Sequence, residues 1–174
     1  MYSPAPDGFS IRGAAVSYTE ISPDDDLSHV VHCFWELRTL AVLPQNFQYH
    51  ALPDACVNLL LNLVDTEVAG VTALHTAATT LDLGTSFHYA GVQFYPGVWQ
   101  GDRNEISNRY VGTPYMGSLP LVSTGRRLVG LDPEEMADVL AGLVRWCMAR
   151  GHVRANALTA RILARLNAIR SVAD

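Results

Sequence analysis

Cys56-Val57-Asn58-Leu59-Leu60-Leu61-Asn62-Leu63 repeats with a period of two. Val57, Leu59, Leu61 and Leu63 fall on one side; Asn58, Leu60 and Asn62 fall on the other. A strand sends successive side chains to opposite faces, so this run reads as a strand with one apolar and one mixed face. The same short pattern continues outward in both directions. Val16, Tyr18 and Glu20 alternate with smaller residues. His29 to Leu37 is rich in β-branched and aromatic residues, and Phe47, Tyr49 and Ala51 alternate with Gln48, His50 and Leu52. Glu67 to Ala73 and Phe87 to Phe94 are further strand-like runs. Pro44-Gln45-Asn46, Pro53-Asp54, Gly70, Leu83-Gly84-Thr85 and Pro96-Gly97 supply turns between them. Many short strands at this spacing predict a mainly β protein, a sandwich or barrel over residues 15–130. Residues 1–14, with Pro4, Pro6 and Gly8, read as an extended arm.

The period changes at Asp132-Pro133-Glu134-Glu135. Asp132 suits an N-cap, Pro133 the first helical position, and the glutamates the positive end of the helix dipole. Met136, Val139, Leu140, Leu143, Val144 and Cys147 then form one helical stripe, and Gly151 suits the residue after its end. A second helix is predicted over 153–172. The short connection makes residues 131–174 an antiparallel helix pair. Leu158, Ile162, Leu163, Leu166 and Ile169 form a broad apolar stripe on the second helix, which suits contact with a second copy of the chain.

A chain of 174 residues is one domain, with or without a helical appendage. Hydrophobic residues at 49% and charged residues at 17% exclude a disordered chain. Twelve basic residues, all arginine, stand against 17 acidic ones, a net charge of -5 and not the balance of a free-standing nucleic-acid binder. The three cysteines lie far apart, so no disulfide framework is expected. Nothing resembles a membrane span or a signal peptide, which predicts a cytoplasmic protein with no membrane partner.

Catalytic patterns are missing. The six histidines are scattered and no His-x-His occurs, so neither metal nor cofactor is expected. No Gly-x-Ser-x-Gly is present, and the paired carboxylates at 24–26 and 134–135 read as a solvated turn and a helix start. The chain is expected not to be an enzyme. Its unusual feature is polar and aromatic residues on strands that should face a core. If that face is interior, Trp35, Gln48, His50, Asn58, Asn62, Tyr89, Gln93, Tyr95 and Trp99 make an apolar pocket with a few polar fixtures. If it is not, they form the wet side of an antiparallel sheet. Asp54, after a proline, is expected to hold its turn by accepting backbone N–H bonds.

Three blocks carry a family resemblance: Phe34-Trp35-Glu36-Leu37; His50-Ala-Leu-Pro53-Asp54-Ala-Cys56-Val57-Asn58-Leu-Leu-Leu-Asn62-Leu63; and Gly91-Val-Gln-Phe94-Tyr95-Pro96-Gly97. In this order they resemble the signature blocks of the β-barrel domain that precedes the DNA-binding half of AraC-type transcription regulators. Ala55 and Asn58 replace the usual Gly and Asp of the middle block, and Gln93 replaces the Arg of the last. The resemblance covers about residues 16–130. It implies a cupin-like barrel that senses a small organic effector, followed by helices that form a homodimer. DNA would be reached only through a helix-turn-helix domain absent from this sequence. The rival expectations are a protein–protein interaction module without a small ligand and, last, a cupin-like enzyme.

Overall fold

The computed structural model describes residues 9–12, 15–51, 53–72, 77–107 and 111–173, with side chains described from 15 to 165 within those ranges. The described chain is mainly β with three helices. The strands are β1 (Phe9–Arg12), β2 (Val16–Ile21), β3 (Val31–Thr39), β4 (Gln48–Ala51), β5 (Asn58–Asn62), β6 (Ala69–Thr72), β7 (Thr79–Asp82), β8 (His88–Phe94) and β9 (Ile106–Ser107). The helices are α1 (Leu121–Leu128), α2 (Pro133–Ala149) and α3 (Ala157–Ala173). Seven strands form one sheet in the order β1-β2-β3-β8-β5-β6-β9, and β4 pairs with β7 in a second. Among the described strands only β6 and β9 run parallel.

Alternation along each strand builds two different faces. Leu59 and Leu61 of β5, Val71 of β6 and Val92 and Phe94 of β8 are fully buried toward α1 and α2. Leu121 and Leu128 of α1 and Met136, Leu140, Leu143, Val144 and Cys147 of α2 pack on them. The opposite face carries Leu37, Leu60 and Tyr89, against which Phe47, Leu81 and Leu83 pack from the small sheet and its turns. A β-bulge between Val31 and Cys33 adds one residue to β3. Val31 and Phe34 therefore share the helix side, while Trp35 and Leu37 turn to the other.

The start of α2 follows the sequence reading closely. The Asp132 carboxylate accepts from the Glu135 N–H at 2.9 Å, and the Glu135 carboxylate accepts from the Asp132 N–H at 3.2 Å. At the other end Gly151 has φ 75°, its N–H donates to Met148 O and that of His152 to Cys147 O. This pair of bonds closes the helix and needs a left-handed residue at Gly151.

Several boundaries differ from expectation. The strand expected from His29 begins at Val31, because Asp24 to Val31 turns on local hydrogen bonds. Residues 15–130 are not all β: α1 lies inside them and packs on β5, β6 and α2. The helix expected from Val153 begins at Ala157. Val153 bridges Trp99 instead, and the Asn156 side chain accepts from the N–H groups of Leu158 and Thr159. Among the described residues α2 packs on α1, β2 and β3, whereas α3 is tied at its start to Pro96 and Gly97. Asp24 and Asp26 are exposed at the turn expected there, and both also bind Arg145 of α2, at 2.8 and 2.9 Å. No helix among the described residues is long and apolar enough to cross a membrane.

Candidate functional site

A cavity of about 290 Å³ lies between the face of Leu60 and the β4–β7 sheet. Strand pairing lines up the large sheet beneath it in three rows, of which Tyr18, Leu37, Tyr89, Trp35, Leu60, Gln93 and Asn58 line the cavity. Tyr18, Leu37 and Tyr89 form the first; Glu20, Trp35, Gly91 and Leu60 the second; Cys33, Gln93 and Asn58 the third. The middle row has a notch. A Cβ at Gly91 would overlap the Trp35 ring and the Leu59 carbonyl oxygen, so glycine lets the indole lie flat on the neighbouring strand. The third row is polar. Beside it the Thr72 hydroxyl accepts from the Asn58 N–H at 3.0 Å. Tyr49, Ala51, Leu81 and Leu83 close the other side.

A hydrogen-bonded chain crosses the polar end. His32 Nδ1 lies 2.7 Å from Gln93 Oε1, and Gln93 Nε2 donates to Asp54 Oδ2 at 3.1 Å. An amide oxygen only accepts, so His32 carries its proton on Nδ1 in this arrangement. Asp54 Oδ1 accepts from the Cys56 N–H at 3.2 Å, the local turn expected of it. Asp54 thus holds a turn and lines the cavity with the same carboxylate. Tyr18 donates to Glu20 Oε1 at 2.7 Å. Burial, then that bond, holds the Tyr18 hydroxyl well above the usual phenol range, so it stays neutral. Burial also raises Tyr49 and Tyr89, and at Tyr49 the charges of Asp54 and Glu20 add to it. Burial, then the Asp54 charge, pushes the Cys56 thiol up to about 11, away from a thiolate. Among the described residues no group of three potential metal ligands occurs.

Five of the nine residues expected in a pocket come together here: Trp35, His50, Asn58, Tyr89 and Gln93. His50 sits exposed at the rim with its ring on the Thr80 hydroxyl at 3.1 Å. Four lie elsewhere. Gln48 is exposed on β4 opposite Asp82. Asn62 ends its strand, and its side-chain oxygen accepts from the N–H groups of Val64 and Asp65 at 2.8 and 3.0 Å. Tyr95 packs against the helix-side core and edge-on to His32. Trp99 packs at a tilt against Phe94, stacks on His152 and lines a separate cleft with Arg103. The turn at Pro96-Gly97 breaks the alternation that put Trp99 with Tyr89 and Gln93.

Residues 19–101 match the family model of a domain of unknown function, DUF6597. No curated protein and no solved structure matches the chain. The matched stretch runs from within β2 past β8 and holds every lining residue of the cavity except Tyr18 and Val111.

The sequence reading placed Leu60 on the face of Asn58 but missed Tyr18, Leu37, Tyr49, Ala51, Thr72, Leu81, Leu83 and Val111 as lining residues. Tyr18 and Tyr49 had a signal, since both alternate with smaller or polar neighbours on predicted strands. Leu81, Leu83 and Val111 had none, because only long-range contacts bring them to the site. Of the residues expected to form a dimer, Leu158 and Ile162 are exposed, at 65% and 49%, and Leu163 is partly buried. The side chains of Leu166 and Ile169 lie outside the described residues.

Proposed function

We propose that this chain is a ligand-sensing and dimerisation domain of the AraC-type regulator kind, built on a cupin-like barrel. A small organic effector binds between the two sheets, and no bond is made or broken. The supporting observation is the cavity itself, which is mostly apolar and carries a few fixed polar groups at one end, the usual make-up of a small-molecule site. Exposed Leu158 and Ile162 support pairing of α3 with a second copy, and occupancy is relayed to a DNA-binding domain outside this sequence. The protein acts in the cytoplasm without metal or cofactor.

The test is ligand-observed binding against a library of metabolites, with wild type and Trp35→Leu side by side. The effector binds wild type, and the variant loses it while remaining folded. A hit bound equally by both proteins places binding elsewhere. Sedimentation of wild type and of the pair Leu158→Glu with Ile162→Glu tests the assembly. Wild type runs as a dimer and the pair as a monomer, because a charge at the seam is costly. A monomeric wild type at tens of micromolar removes the dimer.

A further inference from the structure

We propose that the cavity between the two sheets takes a neutral planar ring that carries an amide-like head. This rests on reading that cavity as a small-molecule site and adds the chemistry of its ligand. The large sheet offers a flat platform. Gly91 lacks the Cβ that would overlap the Trp35 ring, so the indole lies along β8 instead of standing off it. Tyr89 lines the cavity from the same strand, and Tyr49 lines it from the small sheet. A flat guest therefore meets aromatic groups from both walls, in the stacked or edge-on contacts that rings prefer.

The head belongs on the next row. Asn58 and Gln93 pair across β5 and β8, two residues along from Leu60 and Gly91. Two residues of strand span about 7 Å. In a ring with a directly attached amide, the ring centre lies about 4 Å from the amide heteroatoms, and a hydrogen bond adds about 3 Å. A ring on Trp35 thus brings its amide to that row. The groups there suit it. The backbone N–H of Asn58 is held by Thr72, while its side-chain amide has no hydrogen-bond partner among the described residues. That amide presents an acceptor and a donor side by side, the complement of another amide. Buried Thr72 accepts from the Asn58 N–H through its oxygen, which leaves its hydroxyl proton to donate.

Charge favours a neutral guest. Among the described lining residues the charge-bearing side chains are one carboxylate, Asp54, and one imidazole, His50. Both are exposed, where water and salt screen them. Each already has partners: Asp54 accepts from Gln93 and the Cys56 N–H, and the His50 ring lies on the Thr80 hydroxyl. Glu20 does not line the cavity and accepts from Tyr18. An ion seated on Trp35 and Asn58 would give up hydration for neutral partners, which is costly. A neutral amide exchanges its water for hydrogen bonds of the same kind. A volume near 290 Å³ corresponds to about ten waters of bulk liquid, room for one such ring and its head.

The experiment titrates the folded protein with four probes of nearly one shape: benzamide, benzoate, benzamidinium and cyclohexanecarboxamide. Heat of binding gives affinity. The Trp35 indole N–H signal in heteronuclear NMR, assigned by its loss in Trp35→Phe, reports the site. Benzamide shifts that signal and binds at least about tenfold tighter than either ion and about threefold tighter than the saturated amide. Asn58→Leu keeps the backbone bond to Thr72 and weakens benzamide about tenfold. Asn58→Asp turns the preference toward benzamidinium, which can then donate to a carboxylate. Circular dichroism confirms that both variants fold. Benzoate or benzamidinium that shifts Trp35 and binds wild type as tightly as benzamide overturns the neutral head. Cyclohexanecarboxamide that does so overturns the flat ring. Benzamide affinity unchanged in both Asn58 variants, binding with no Trp35 shift, or no binding at millimolar concentration overturns the assignment as a whole. Each of these leaves the broader reading of a small-molecule cavity to the metabolite library, which tests it separately.

Discussion

The two faces of the large sheet are made by the same strands and end differently. On the helix side Leu59, Leu61, Val92 and Phe94 are fully buried and meet continuous apolar stripes from α1 and α2. On the other side Leu60, Tyr89 and Leu37 are also buried, yet a cavity remains beside them. The difference lies in the covering layer. Two helices offer side chains at 3.6-residue spacing that interdigitate with the sheet. The small sheet has two strands of four residues each and reaches only part of the face. Alternation therefore creates two faces, and the length of the cover decides which one is filled. Asn58, Gln93 and Thr72 are tolerated on the unfilled face because partners or space remain for their polar atoms.

The largest test compares neighbours on β5. Leu61→Ala empties a fully packed site and should cost about 3 kcal/mol, the mid-range for a core leucine. Leu60→Ala opens onto space that already exists, so it should cost about half as much. Urea unfolding of both variants measures the gap. Equal costs would mean that the second face is as tightly filled as the first.

The next test attacks the notch. Gly91→Ala places a methyl group against the Trp35 ring and the Leu59 carbonyl oxygen. The ring is a side chain and can give way, but the carbonyl belongs to a central strand and cannot move freely. The cost should be about 2 kcal/mol, as for overpacking elsewhere, with a changed environment for Trp35 in near-ultraviolet circular dichroism. An unchanged Trp35 signal would show that the indole does not lie on β8.

How far the sequence foretold these faces depends on the range of the interaction. Period-two runs marked β2, β3, β5 and β8, since alternation is local. The cap at Asp132 and the stop at Gly151 were legible for the same reason. β7 escaped because Thr79-Thr80-Leu81-Asp82 has one apolar residue and gains strand structure by pairing with β4. α1 escaped because Ser123, Thr124 and Gly125 follow Pro120 and favour turns. Tertiary packing overrides that preference: Gly125 is buried against Leu61, where a small residue lets the helix come close. In the site, Trp35, Asn58, Tyr89 and Gln93 could be read from parity within one strand. Asn62 and Trp99 had suitable parity or neighbourhood, but strand ends and the Pro96-Gly97 turn redirected them. Asp54 was legible as a turn residue; its second place beside Gln93 depends on pairing across the sheet.

The smallest effect asks whether the two faces are independent. Gly142 lies in the interior of α2, is exposed, and a Cβ there would meet nothing within 4 Å. Glycine in a helix costs roughly 0.8–1.0 kcal/mol relative to alanine, through backbone freedom in the unfolded chain. Gly142→Ala should therefore stabilise the protein by somewhat under 1 kcal/mol. It touches the layer over the filled face and nothing on the cavity side. Combined with Leu60→Ala, it should add to within about 0.5 kcal/mol, as distant sites do when they share no partner. Binding of any cavity ligand should not change. Urea unfolding of the single and double variants measures the sum, and a titration of each measures the binding. A coupling well above that limit, or a shift in ligand affinity, would show that α2 strains the sheet and that its packing sets the cavity's shape. The faces would then be one mechanical unit, and a route from an occupied cavity to α2 would run directly through β2 and β3.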